Sequence, residues 1–110
     1  MKILQIGCGG VGSFLIFEIA ECIEQGIIDP FELRITLADQ DIVELNQRKY
    51  QNFTLKEVGM NKAEALAKRF NKYGVEAFPN RISSERQLKG YDAIILCVDN
   101  EMTRNLVIRH

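Results

Sequence analysis

Two short segments, about one strand–helix–strand unit apart, constrain this chain more than anything else in it. Gly7-Cys8-Gly9-Gly10-Val11-Gly12-Ser13 follows an apolar run and opens a helical pattern; Ala38-Asp39-Gln40-Asp41-Ile42-Val43-Glu44 follows the alternating, β-branched stretch Leu33–Ala38. In the first, Gly7 permits a tight turn and Gly9 lets a phosphate approach the backbone. Gly12 lets the helix pack close to the sheet, and Gly10 adds further freedom. In the second, Asp39 lies at the strand end, where a carboxylate accepts both hydroxyls of a ribose, and Asp41 sits on the same turn. The pair predicts a nucleotide site. Asp39 alone does not separate NAD from ATP, because both carry an adenosine ribose.

The hydrophobic pattern supplies the frame for these segments. Lys2–Gly7 reads as a strand buried on both faces. Val11 to Gln25 reads as a helix with its apolar stripe at Val11, Leu15, Ile19, Ala20 and Ile23, and Gly26 follows as the C′ residue. Leu33–Ala38 is a second strand. Asn61 to Tyr73 is a second helix, striped by Ala63, Leu66, Ala67, Phe70 and Tyr73 and ended by Gly74. Val75–Pro79 and Asp92–Val98 are further strands, the latter again reading as buried, and Asn100 caps a closing helix through Arg109. This alternation predicts an α/β fold: one domain over residues 1–110, a Rossmann-like parallel sheet of about four strands in order 3-2-1-4, flanked by helices. The connection from Asp41 to Met60 is long for such a unit, which favours a functional loop. The fourth strand stands at a sheet edge, which points to a homodimer or a complementing second half.

Composition removes several function classes. Lys and Arg (14) nearly balance Asp and Glu (15), so no basic surface points to nucleic acid. The longest apolar runs, such as Ala93–Val98, are too short to span a bilayer, and Met1-Lys2 enters a strand without a signal-peptide pattern; the expectation is a cytoplasmic protein with no membrane partner. Cys8, Cys22 and Cys97 form no C-x-x-C, so neither a disulfide framework nor a zinc knuckle is expected. Cys8 reads as a small packing residue in the glycine loop, and Cys22 and Cys97 read as core residues. The only histidine, His110, is the last residue, which sets Ser-His and Cys-His chemistry aside.

Blocks along the whole chain, G-C-G-G-V-G-S, A-D-Q-D-I-V-E-L-N, V-G-M-N-K-A-E-A-L-A-K-R and Y-D-A-I-I-L-C-V-D-N-E-M-T-R, resemble the ubiquitin-activating-enzyme-like family that includes ThiF, MoeB and HesA. The resemblance corresponds to the nucleotide-binding half of that fold. It implies ATP and Mg²⁺ as cofactors and adenylation of the C-terminal carboxylate of a ubiquitin-like or sulfur-carrier protein. By position it gives Asp39 the ribose, Asn46 and Lys62 the phosphates, and Asp99 the Mg²⁺; Gly7, Gly9, Gly10, Gly12 and Asp41 complete the nucleotide contacts. Lys49 stands where the family has an arginine and Tyr50 where it has a glutamine, so Lys49 or Arg48 takes the phosphate clamp. Lysine there keeps the charge and loses the bidentate geometry. The implied catalytic set is Lys62, Lys49 and Asn46. Two other readings compete: an NAD(P)-binding domain of an oxidoreductase, which leaves Asn46, Lys62 and Asp99 without a role, and a nucleotide-sensing module without turnover.

Overall fold

The computed structural model describes residues 1–46 and 51–98. The strands β1 (Lys2–Ile6), β2 (Arg34–Ala38), β3 (Val75–Phe78) and β4 (Ala93–Leu96) form one sheet in the order β3-β2-β1-β4. All the pairings are parallel, Leu4 lying against Thr36 on one side and Ile94 on the other. This is the order expected from the alternation of elements. Arg48, Lys49, Asp99 and the closing helix from Asn100 lie outside the described residues.

Period-two alternation sends the strand side chains to two separate cores. On one face Ile35, Leu37 and Val75 pack with Ile16 and Ala20 of α1 (Gly10–Glu24) and with Ala63 and Leu66 of α2 (Lys62–Arg69). On the other face Leu4, Ile6 and Ala38 pack with Ile82 and Leu88 from the β3–β4 connection. Leu4, Ile16, Leu37, Leu66 and Leu88 are each fully buried, and each such side chain contributes about 2 kcal/mol of transfer free energy.

Three local expectations are corrected. The buried side of α1 is Gly12, Ser13, Ile16 and Ala20, not the stripe through Val11, and Val11 is 73% exposed. The helix is apolar almost all round, with Phe14 and Phe17 also outside, so its periodicity did not fix its rotation; the close approach at Gly12 does. The second helix ends at Arg69 rather than Tyr73. Phe70 leaves helical geometry at φ −106° and ψ 23°, a 3-10 turn covers Asn71–Tyr73, and Gly74 closes it at φ +75°. Finally, β4 is only half-buried along its length, since among the described residues it pairs with β1 alone.

The long connection after β2 is well tied down where it is described. An antiparallel bridge joins Ile42 to Asn61, and Gly59 and Val43 add a backbone hydrogen bond of 2.9 Å. Thr54 and Glu57 form a capping box around the 3-10 turn Leu55–Glu57, a T-x-x-E signal that sequence reading passed over. Arg69 then pairs with the buried Glu57 and donates to the Asn52 carbonyl at 2.8 Å. Asn52 in turn donates from its backbone N–H to Ser13 Oγ of α1 at 2.9 Å.

Candidate nucleotide site

A cleft of about 360 Å³ opens at the C-terminal ends of the strands, where parallel sheets bind ligands. Gly7 and Gly9 form its floor. Asp39, Gln40, Asp41 and Lys62 make one wall, and Cys97 with Val98 and the segment Asn80–Ile82 make the other; Gln51 reaches in from the long connection.

The glycine loop is held by close contacts that leave no room for side chains at two positions. Gly7 has φ +104°, and a Cβ there would lie 2.5 Å from Val98 Cγ1 and 2.7 Å from the Cys97 carbonyl oxygen. At Gly12 a Cβ would meet the Gly7 carbonyl oxygen at 2.1 Å. Gly9 differs: its nearest neighbour would be Gln51 Nε2 at 3.5 Å, so its bareness keeps the cleft open rather than the chain folded. Gly9 caps α1 without any side-chain hydrogen bond, and the first turn of the helix carries no acidic residue. The positive end of a 15-residue helix therefore meets the cleft without a carboxylate of its own first turn, which suits an anion.

Asp39 organises the turn from its strand end. Its Oδ2 accepts the Cys8 backbone N–H at 2.7 Å and its Oδ1 accepts the Asp41 N–H at 2.8 Å. Each carboxylate oxygen keeps a further lone pair for ligand hydroxyls. Burial first, and the Asp39 carboxylate second, push the Cys8 thiol far above its ordinary range, so it stays neutral. Burial also raises Cys97, which lies half-buried in the cleft wall rather than in the core as expected.

Lys62 is placed by the start of α2. Asn61 caps that helix, its Oδ1 accepting from the Glu64 N–H at 3.0 Å while its Nδ2 donates to the Asp39 carbonyl at 2.9 Å. The Lys62 backbone N–H donates to the Asp41 carbonyl at 2.9 Å. The side chain is 4% exposed, whereas Lys56, Lys68 and Lys72 are exposed, which separates it from the solvated basic helix face. It takes part in neither ion pair found among the described residues, Arg69–Glu57 and Lys72–Glu24. A cation buried on a cleft wall without a protein counter-ion is costly unless the ligand carries negative charge.

Of the residues expected from sequence, Gly7, Gly9, Asp39, Asp41 and Lys62 converge on this cleft. Gly10 is the exposed first residue of α1, and Gly12 acts behind the loop. Asn46 is exposed and does not line the cleft. Sequence reading missed Gln5, Gln51, Asn80 and Arg81. The last two follow β3 directly, and position after a strand end was the available signal. Among the described residues no group of three or more Asp, Glu, His or Cys side chains is arranged to hold a metal, and no helix is long and apolar enough to cross a membrane.

The fold agrees with comparison to known proteins. The ThiF family model matches residues 1–110, and the chain belongs to the ThiF family. Among solved structures it is similar to the E. coli tRNA N6-threonylcarbamoyladenosine dehydratase TcdA, at 26% identity and a TM-score of 0.76 over 97% of this chain and 45% of that one. The ATP complex of TcdA matches with a TM-score of 0.73, also at 26% identity, over 97% of this chain and 44% of that one. E. coli MccB with ATP shares the fold at 24% identity and a TM-score of 0.75, over 96% of this chain and 32% of that one. The chain thus spans less than half the length of these proteins. Comparison with curated proteins gives no match.

Proposed function

We propose that this chain is the ATP-binding adenylation module of a ThiF/MoeB-type activating enzyme. The observation that carries the reading is Lys62, a buried cation without an ion-pair partner among the described residues, on the wall that also holds Asp39. An adenosine ribose on Asp39 would direct its phosphates to the glycine loop and α1, within the field of Lys62. The complexes of TcdA with AMP and with ATP support the same ligand class. The NAD(P) reading gives Lys62 less to do, since a dinucleotide lacks the triphosphate charge.

In this reading the acceptor is the C-terminal carboxylate of a ubiquitin-like or sulfur-carrier protein. A carboxylate oxygen bonds to the α-phosphorus of ATP, the bond from that phosphorus to the bridging oxygen breaks, and pyrophosphate leaves. Lys62 and the α1 N-terminus stabilise the charge that gathers on the phosphates, and no general base is required. Asn46, Arg48 and Lys49 belong to the proposed phosphate set, and Asp99 is the proposed Mg²⁺ ligand; magnesium would supply further charge neutralisation when bound. A homodimer or a complementing second half, and a cytoplasmic setting, complete the proposal.

Calorimetric titration with ATP plus Mg²⁺, and separately with NAD⁺ and NADH, tests it on the wild type and on Asp99→Asn. ATP binding that requires Mg²⁺ and weakens in the variant supports the reading. Tight dinucleotide binding indifferent to Asp99 sinks it. Pyrophosphate exchange with a candidate carrier then distinguishes an enzyme from a nucleotide sensor without turnover.

A further inference from the structure

Gln5 is out of place in its strand. It lies in the middle of β1 between Leu4 and Ile6 and is 0% exposed, on the sheet face that packs against α1 and α2. Its Nε2 donates to two backbone carbonyls at once, Gly7 at 3.0 Å and Gly12 at 2.9 Å. Its Oε1 is buried and finds no hydrogen-bond partner among the described residues. An apolar residue of similar volume would leave no orphan Oε1, but it would strip the Gly7 and Gly12 carbonyls of this shared donor, so what the amide supplies is spent on the glycine loop.

The two carbonyls are the first and last of the glycine turn. We propose that Gln5 is a positioning residue for the phosphate loop: its amide draws the Gly7 and Gly12 carbonyls inward, onto the sheet side. The N–H groups of the turn from Gly9 onward are thereby left for the cleft, the Cys8 N–H being held by Asp39. The space that Gly12 leaves bare is shared by this amide, since a Cβ there would sit 2.9 Å from Gln5 Nε2 as well as against the Gly7 carbonyl. The third glycine therefore makes room for a clamp in addition to helix–sheet packing. The ligand it serves is the phosphate chain of a nucleotide rather than its base or sugar. The inference deepens the proposed ATP site and rests on it for the identity of that ligand.

The test uses the full chain with Gln5→Met, which keeps the length and removes both the donor and the orphan acceptor. Gln5→Asn, an amide one methylene short of the carbonyls, replaces it if the Met variant does not fold. In the ligand-free protein, hydrogen exchange at the backbone amides of residues 8–12 should speed up about tenfold while exchange in β2 and α2 stays near wild type. Mg-ATP affinity should fall about tenfold and adenosine affinity hardly at all, because adenosine does not touch the loop. Wild-type loop exchange, or an unchanged ratio of ATP to adenosine affinity, overturns the proposal. If the wild type itself binds neither ligand, the ATP reading fails, and the exchange rates alone decide the role of Gln5.

Discussion

The Cys8 backbone N–H donates to Asp39 Oδ2 at 2.7 Å, so the carboxylate that closes β2 also anchors the glycine turn that follows β1. Asp39 Oδ1 simultaneously takes the Asp41 N–H, and one side chain thus sets the position of the glycine floor of the cleft against the wall that Asp41 shares. Any ligand hydroxyls it binds are met by an acceptor already fixed in orientation, which lowers the ordering cost of binding.

Asp39→Asn should therefore injure fold and ligand together. Asparagine keeps the shape but turns an N–H₂ toward one of the two backbone donors, at a cost of about 1–3 kcal/mol. Urea unfolding should show that loss, and titration should show adenosine and ATP weakened by similar factors, since the damage falls on the ribose.

Lys62→Met should act differently. It removes a buried cation that has no ion-pair partner among the described residues, so the thermal midpoint should stay or rise. ATP affinity should fall by about 2–3 kcal/mol, or roughly 30- to 150-fold, while adenosine affinity stays near wild type. Equal losses for the two ligands would place Lys62 away from the phosphates.

The two glycines facing opposite sides of the loop should separate folding from binding. Gly12→Ala drives a methyl into the Gly7 carbonyl at 2.1 Å, which is backbone and cannot swing aside, and should cost about 3 kcal/mol or more. Gly9→Ala has 3.5 Å of clearance and should stay folded, yet its methyl enters the cleft and should weaken ATP by about tenfold or more. Circular dichroism melts and calorimetry on the pair check both halves.

Thiol titration gives a pH signature. The Cys8 pKa is raised in the folded chain from its ordinary 9.0, so below pH 9 it costs nothing. Above that, the unfolded chain loses its proton first, and stability should fall by about 1.4 kcal/mol per pH unit until the folded thiol also ionises. Cys8→Ala should flatten this part of the profile in a comparison of the two proteins. Alkylation should spare Cys8 in the native state and reach Cys97 slowly, with ATP protecting it.

The sequence carried the parts of the site that local pattern encodes. A glycine turn after a strand and an acid after the next strand were legible because each is a short motif tied to an element boundary, and the strand order followed from the Rossmann-type alternation of elements. Lys62 was legible as a motif position, but its burial was not: it stands one turn before Leu66, beside the apolar stripe, where a first-turn lysine is still free to reach solvent, and the packing of Asn61 against the Asp39 and Asp41 carbonyls turns it inward. Gln5 was invisible because a polar residue in an apolar strand carries no sign of the carbonyls it will meet. The rotation of α1 was misread since residues on nearly every side of it are apolar, leaving the decision to the contact at Gly12.

Lys62 and Arg69 are the first and last residues of α2, seven positions apart and so nearly aligned along one side of the helix. The first stands in the cleft wall; the last grips Glu57 and the Asn52 carbonyl in the connection that arrives at the cleft from outside. A rigid rod two turns long therefore joins the charge that would meet a ligand to the strap that borders it. Whatever rolls or slides this rod shifts both ends together, making the location of the cation and the posture of the strap a single mechanical variable.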